Sequence, residues 1–214
     1  MIKNGFFISF EGIDCSGKST QLDLLYDYLK QQFDLLVIKT KEPGSTELGK
    51  ELRHILLNSN YEFKSKFTES LLFTADRVEH VEQILKPNLE KKAIILCDRY
   101  IDSTLAYQIG GRNLPKEKIQ MLNSFIDLKP NLTFLIDIDP ESNSWQERFS
   151  EKAKTMGKDR FEKENIDFYK KVRHAYIEIA KNEPNRIIII DGTKSIDIIS
   201  AEIKNVILTY ANSN

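Results

Sequence analysis

Short apolar runs alternate along the chain with longer stretches in which apolar residues recur every three or four positions. Phe6-Phe7-Ile8-Ser9-Phe10, Leu35 to Ile38, Ala93 to Cys97, Leu132 to Ile136 and Arg186 to Ile190 are β-branched or aromatic runs without strict polar alternation. That pattern predicts strands covered on both faces. Leu22, Leu25, Tyr26 and Leu29 form a helical stripe, as do Leu48, Leu52, Ile55 and Leu56, and later Ile198, Ile199, Ile203, Val206, Ile207 and Tyr210. Strand–helix alternation through the whole length predicts an α/β protein with a mainly parallel sheet and helices on both sides. No repeat, low-complexity tract or linker interrupts it, so one domain over residues 1–214 is expected. Two stretches stand apart from this framework. Residues 41–46 form a loop after a strand end. Residues 150–160 are charged, poor in large apolar residues and contain Gly157, which predicts either an idle solvated loop or a mobile cover.

Composition narrows the picture by exclusion. With 31 Lys+Arg against 32 Asp+Glu, the net charge of −1 gives no global reason to bind nucleic acid or an anionic membrane. Hydrophobic residues at 41% suffice for one ordinary core, and 29% charged residues fit a water-exposed surface. Two cysteines, Cys15 and Cys97, exclude a disulfide framework. The N-terminal apolar run meets Glu11 after five residues, too short for a secretory signal, and no run approaches the ~20 residues of a membrane span. A cytoplasmic globular protein is expected. His54, His80 and His174 lack ligand spacing with cysteine and read as surface or interhelix histidines.

The strongest chemical signal is Gly12-Ile13-Asp14-Cys15-Ser16-Gly17-Lys18-Ser19, which fits G-x-x-x-x-G-K-[ST] between a predicted strand and a predicted helix. Glycines let the backbone wrap phosphate oxygens, and the amides at the helix N-terminus favour negative charge. Lys18 would reach the β- and γ-phosphates, and the Ser19 hydroxyl would ligate Mg²⁺. A later strand ends in Cys97-Asp98-Arg99. Asp98 at a strand's carboxyl end either holds a water on Mg²⁺ or caps the next helix.

A phosphate loop specifies a nucleotide, not a reaction. No Asn-Lys-x-Asp guanine-reading segment occurs, which argues against a GTPase. If the phosphoryl acceptor is itself a phosphate, its pocket should carry arginine. Phe73 and Arg77 share a helix face four residues apart, suited to a flat base and its polar edge. Arg99 follows Asp98, and Arg53 lies on the helix after Glu42-Pro43-Gly44. Ser103, Tyr107, Gln108, Gly110, Gly111 and Arg112 form a polar stretch fit for a base and ribose. Three other readings stay open here: another nucleoside-monophosphate or deoxynucleoside kinase, a nucleotide-sensing module that hydrolyses ATP slowly, and a purely structural α/β protein.

From Phe6 to about Thr193 the chain resembles the bacterial type of the thymidylate kinase (dTMP kinase) family. The landmarks arrive in order: Phe10-Glu11-Gly12, Glu42-Pro43-Gly44, Leu72-Phe73-x-x-x-Arg77, Asp98-Arg99-Tyr100-x-x-Ser103, Ala106-Tyr107-Gln108, Pro130-x-Leu132-Thr133, Asp159-Arg160-Phe161-Glu162 and Asp191-Gly192-Thr193. The resemblance implies a three-layer P-loop NTPase fold with a five-stranded parallel sheet, a short lid at about 149–160, and Mg²⁺-dependent phosphorylation of dTMP to dTDP by ATP. It implies that Gly12 to Thr20 (Gly12, Ile13, Asp14, Cys15, Ser16, Gly17, Lys18, Ser19, Thr20) hold ATP with Asp191 and Thr193, and that Ser19 and Asp98 serve the metal. For dTMP it implies Asp14 at the 3′-hydroxyl, Phe73 against thymine, Arg77 at O4, Ser103 and Gln108 on other base atoms and Tyr107 at position 2′. Arg53 and Arg99 would hold the acceptor phosphate and Pro43 the methyl-side wall. Lys18, Arg99 and Asp14 would be catalytic. Cys15 stands where the other family type carries arginine, so a lid cation is implied, drawn from Lys154, Arg148, Lys152, Lys158 or Arg160. A homodimer is implied, with Leu71, Val78, Val81 and Leu85 as candidate contacts and neither nucleic acid nor membrane as partner.

Overall fold

The computed structural model describes residues 5–33, 35–57, 62–156 and 159–213. Five strands, β1 (Phe6–Glu11), β2 (Val37–Lys41), β3 (Ile94–Asp98), β4 (Leu132–Asp137) and β5 (Ile187–Asp191), form one sheet in the order β2-β3-β1-β4-β5 with every pair parallel. All six β1 residues are buried because helices cover both faces. Phe6, Ile8 and Phe10 meet Leu22, Leu25 and Leu29 of α1 (Lys18–Gln32) and Ile199, Ile203 and Ile207 of α9 (Ile196–Ser213). Phe7 points the other way, against Val81, Leu85, Ile95 and Tyr100. This alternation is the period-two consequence of a strand sandwiched between two helical layers.

The remaining helices are α2 (Glu47–Leu57), α3 (Lys66–His80) with its π-helical continuation Val81–Leu85, α4 (Lys86–Glu90), α5 (Ile101–Thr104) continuing as a π-helix over Leu105–Gly111, α6 (Lys116–Asn123), α7 (Asn143–Met156) and α8 (Ile166–Asn182). A third apolar cluster joins Trp145 of α7, Phe168, Tyr169, Val172 and Tyr176 of α8, and Tyr107 of the second π-helical segment.

Most expected strands shift by one or two residues at most. The largest shift falls on β2 at the sheet edge, where one face is relieved of burial. On β2, Lys39 and Lys41 are exposed, so the strand runs on past the apolar run that ends at Ile38. On β5, Ile189 is 46% exposed although it sits mid-strand. Three expectations are corrected. The stretch 150–160 is helical through Met156, because Glu147, Glu151, Lys152, Ala153 and Lys154 are strong helix formers and Trp145 stacks on Phe149 to anchor one face. Val81 and Leu85 are fully inside the core, so they are not available to a partner chain; Leu71 is exposed and Val78 half-buried. His80, expected as a surface or interhelix histidine, is completely buried and so is not at the surface.

The sheet positions chemistry at one edge. All five strands end in a charged residue on their carboxyl side: Glu11, Lys41, Asp98, Asp137 and Asp191. Leu96 lies mid-β3 beneath α1 with no exposure. Leu96→Ala should therefore lower unfolding free energy by about 2–5 kcal/mol. Ile198→Ala, at a half-exposed α9 position, should change it by less than about 1 kcal/mol. Urea unfolding of both variants checks the pair.

Candidate active site

The turn from β1 to α1 is built by backbone conformations that side chains resist. Gly12 has φ 139°, and a Cβ there would come within 2.5 Å of the Ile136 carbonyl oxygen. Gly17, left-handed at φ 98°, opens α1. Lys18 is buried and donates to the Ile13 carbonyl at 2.8 Å. Burial, followed by the nearby Arg99 cation, pulls its ammonium down to about 8. Ser16 Oγ is buried and makes no hydrogen bond. Cys15 is half-buried at φ 60°, with its thiol pushed up by burial; Ile13 is buried and Thr20 exposed. Trp145 Nε1 donates to the Asp14 carbonyl at 2.7 Å and pins the loop from α7.

At the end of β3, Ser19 Oγ donates to Asp98 Oδ2 at 2.5 Å. A hydroxyl and a carboxylate side by side are hard oxygen donors that suit Mg²⁺, an ion which keeps waters and shares phosphate oxygens rather than filling a cage. Among the described residues, no three His, Cys, Asp or Glu side chains cluster as a metal cage. Ser19 and Asp98 are therefore residues that fit the ion.

Arg99 occupies the centre of the cleft in a left-handed conformation, φ 70°. Its Nη2 donates to Asp14 Oδ1 at 2.6 Å and to the Tyr107 hydroxyl at 3.1 Å. Its Nη1 donates to the Gly12 carbonyl at 2.9 Å and, at 3.3 Å each, to Ser103 Oγ and the Tyr176 hydroxyl. Burial alone would raise Asp14, but Arg99, Lys18 and Lys152 overrule it and hold the carboxyl at about 2. Beneath this layer Glu11 is fully buried and accepts from Tyr100 N–H (2.7 Å), Ser103 Oγ (2.6 Å) and the Tyr176 hydroxyl (2.8 Å).

The opposite wall comes from α2 and α3. Arg53, Pro43, Phe73, Arg77, Ser103, Tyr107 and Gln108 line the same cleft as Asp14 and Lys18, so every residue expected at the acceptor nucleotide is brought together. Arg77 is more deeply held than a helix-face reading suggests. It is buried, with Nε on Glu42 Oε2 (2.7 Å), Nη1 on Thr104 Oγ1 (2.6 Å) and Nη2 on the Tyr100 carbonyl (3.1 Å). Glu42 also meets His80 Nδ1 at 2.8 Å, and His80 Nε2 meets Thr40 Oγ1 at 2.7 Å. Arg53 Nη1 donates to the Pro43 carbonyl at 2.8 Å.

The candidate lid cations separate. Lys152 enters the cleft and pairs with Glu162. Lys154 is exposed in a shallow depression with Asn143, Gln146 and Glu147, away from the nucleotide cleft. Arg148 Nη1 donates to the Gly192 carbonyl at 3.2 Å and sits 4.0 Å from an ideal Gly17 Cβ. It therefore stands between the phosphate loop and the Asp191–Thr193 turn, where Asp191 Oδ1 accepts from Thr193 N–H and Oγ1. Arg160 is tied to Glu69 and the Leu56 carbonyl, and Lys158 lies outside the described residues. Sequence reasoning did not find Trp145, Tyr176, Glu69, or the Glu42–His80 pair. The lone tryptophan is the only one of these with a signal of its own.

A phosphate loop after the central strand of a parallel sheet, facing an arginine-and-aromatic pocket, defines a P-loop nucleotide phosphotransferase. The family profile "Thymidylate kinase" matches residues 10–203. A thymidylate kinase of Sulfurihydrogenibium sp. (strain YO3AOP1) is 48% identical over 194 residues, 90% of this chain and 91% of that one. That of Thermosipho melanesiensis is 46% identical over 205 residues, covering 95% and 98%. The crystal structure of thymidylate kinase from Ehrlichia chaffeensis superposes with a TM-score of 0.77 at 35% identity, covering 96% of this chain and 99% of that one. The chain belongs to the thymidylate kinase family.

Glu11 makes this site sensitive to pH. Burial, then the neighbouring Asp102 charge, raises its carboxyl from 4.5 to about 7. The folded chain thus holds a proton that the unfolded chain releases between those values, so this group's contribution to stability falls as pH rises from about 4.5 to about 7. Glu11→Gln should flatten that part of the stability–pH profile, read by urea unfolding at pH 5 and pH 7.5.

Proposed function

We propose that this chain transfers the γ-phosphoryl group of ATP to the 5′-phosphate of dTMP, yielding dTDP and ADP. The single observation that carries the reading is the shared cleft. The phosphate loop and the Arg53–Phe73–Arg77–Arg99 pocket open onto one space, with Asp14 and Arg99 between them. ATP would lie over the Gly12–Thr20 amides with its γ-phosphate at Lys18, its base toward the Asp191–Thr193 turn. dTMP would lie across the gap, its thymine on Phe73 with Arg77 at O4 and Gln108 and Ser103 at other polar atoms. Its phosphate would reach Arg99 and Arg53, its 3′-hydroxyl Asp14, with Tyr107 closing position 2′ and Pro43 the methyl side.

The acceptor oxygen is already anionic near neutral pH, so the reaction needs no general base. Catalysis reduces to alignment and charge neutralisation. Asp14 stays ionised throughout the physiological range, so it orients Arg99 and accepts a hydroxyl rather than moving a proton. Lys18, drawn down by burial, regains full charge when triphosphate oxygens replace the Ile13 carbonyl as its partner. Ser19 and Asp98 would hold Mg²⁺, which when bound would supply further positive charge for the transfer. Lys152 lines the cleft from α7, and we read it as the lid cation that would meet the transferred phosphoryl, with Arg148 beside the phosphate loop. Residues 149–160 then serve as the cover that excludes water. We also read the chain as a cytoplasmic homodimer, with Leu71 on α3 as an apolar contact.

Lys18→Ala should lower kcat by on the order of 10²–10³-fold or more while the fold survives. Lys152→Ala should cost kcat far more than Lys154→Ala. Coupled ADP-release assays over dTMP, dUMP, AMP and GMP check both: ADP release should depend on the pyrimidine monophosphate and be negligible with either purine.

A further inference from the structure

We propose that Glu69 is a specificity-positioning residue: it locks the side-chain amide of Gln108 so that the carbonyl oxygen is offered to the N3–H of thymine. The inference rests on the reading of Gln108 as a base-facing group and asks what decides which way its amide points.

Gln108 is 1% exposed and lines the acceptor side of the cleft from the π-helical segment Leu105–Gly111. Its two polar atoms each have a partner on α3. Nε2 donates to Glu69 Oε1 at 2.8 Å, and Oε1 accepts from Ser70 Oγ at 2.9 Å. The two partners do not carry equal information. A serine hydroxyl donates or accepts, so Ser70 tolerates either amide orientation. A carboxylate has no donor, so Glu69 tolerates only the orientation with the NH₂ toward it. Glu69 cannot turn away to relieve a flipped amide, because both its oxygens are engaged. Oε1 also accepts from Arg112 Nε at 3.2 Å, and Oε2 accepts from Arg160 Nη1 at 2.5 Å and Arg112 Nη2 at 3.3 Å. Glu69 is itself 1% exposed, so water does not compete for these bonds.

With the amide fixed, one Oε1 lone pair remains as an acceptor. Thymine presents a donor at N3, whereas cytosine presents an acceptor there. A flipped Gln108 would offer N–H instead and so match cytosine. Glu69 thereby converts an ambidextrous amide into a one-sense reader, and Arg160 ties that reader to the chain segment entering from the lid. A buried polar group left facing its own kind is what makes such discrimination steep.

The test compares kcat/KM for dTMP and dCMP. Glu69→Gln, which can donate to a flipped amide, should narrow the dTMP-over-dCMP ratio by about tenfold through KM, with kcat for dTMP little changed. Gln108→Ala should narrow it as well. A ratio that falls in Gln108→Ala but holds in Glu69→Gln overturns this inference alone; a ratio that holds in both overturns the base-pocket reading and this inference with it. The unsubstituted enzyme gives an independent readout if Glu69→Gln does not fold. With ¹⁵N-labelled glutamine side chains and the Gln108→Ala spectrum for assignment, one Gln108 amide proton should lie well downfield from its bond to Glu69. Two protons at ordinary glutamine positions would overturn the proposal.

Discussion

The Asp14–Arg99 ion pair stands where the two halves of the cleft meet. Both partners are mostly shielded from water, at 18% side-chain exposure each. Placing opposite charges there carries a desolvation cost that a well-packed apolar pair would avoid, so the pair is poor evidence for stability and good evidence for a role in binding. Arg99 reaches that position through a left-handed backbone, with Gly12, Ser103, Tyr107 and Tyr176 fixing its guanidinium from several directions. Glu11 supports the layer below. A phosphate arriving from the acceptor side would find a cation already oriented, and no reorganisation would be needed at the moment of transfer.

The same logic extends outward. Arg77 is gripped by Glu42, which is gripped by His80. Gln108 is gripped by Glu69, which Arg112 and Arg160 hold in turn. Arg77 and Gln108 are thus each set by a buried carboxylate behind them. On the donor side the arrangement differs. The phosphate loop is held mainly by its own backbone, by Trp145 on the Asp14 carbonyl and by the close approach of Gly12 to β4. In the proposed reading, side chains would read the acceptor and the backbone would cradle the donor. That division matches their chemistry, since a base edge has a pattern to be read and a triphosphate chiefly has charge.

What was legible in the sequence was what is local. The phosphate loop is contiguous, and its glycines and lysine announce themselves; the strands announce themselves because a sheet buried on both faces needs apolar runs. The edge strand β2 was less clear, since Lys39, Thr40 and Lys41 leave its outer half partly wet and break the run. The charged stretch after Phe149 read as loop because it lacks apolar residues, yet its helix formers and the Trp145–Phe149 stack carry α7 to Met156. The expected acceptor residues all reached the cleft, whereas the residues that orient them were invisible. Glu69, Tyr176 and His80 are ordinary helix residues in sequence, and only the packing of α3 and α8 against the centre gives them partners 38 to 165 positions away.

The claim at the centre is that two anionic nucleotides meet head to head across Asp14 and Arg99. A crystal structure with dTMP and a non-hydrolysable ATP analogue tests it directly. The account requires the acceptor phosphate on Arg99 and Arg53, thymine against Phe73 and the triphosphate along the amides that lead to Lys18. Density for dTMP outside that pocket, with Phe73 and Arg77 touching no ligand, would contradict it.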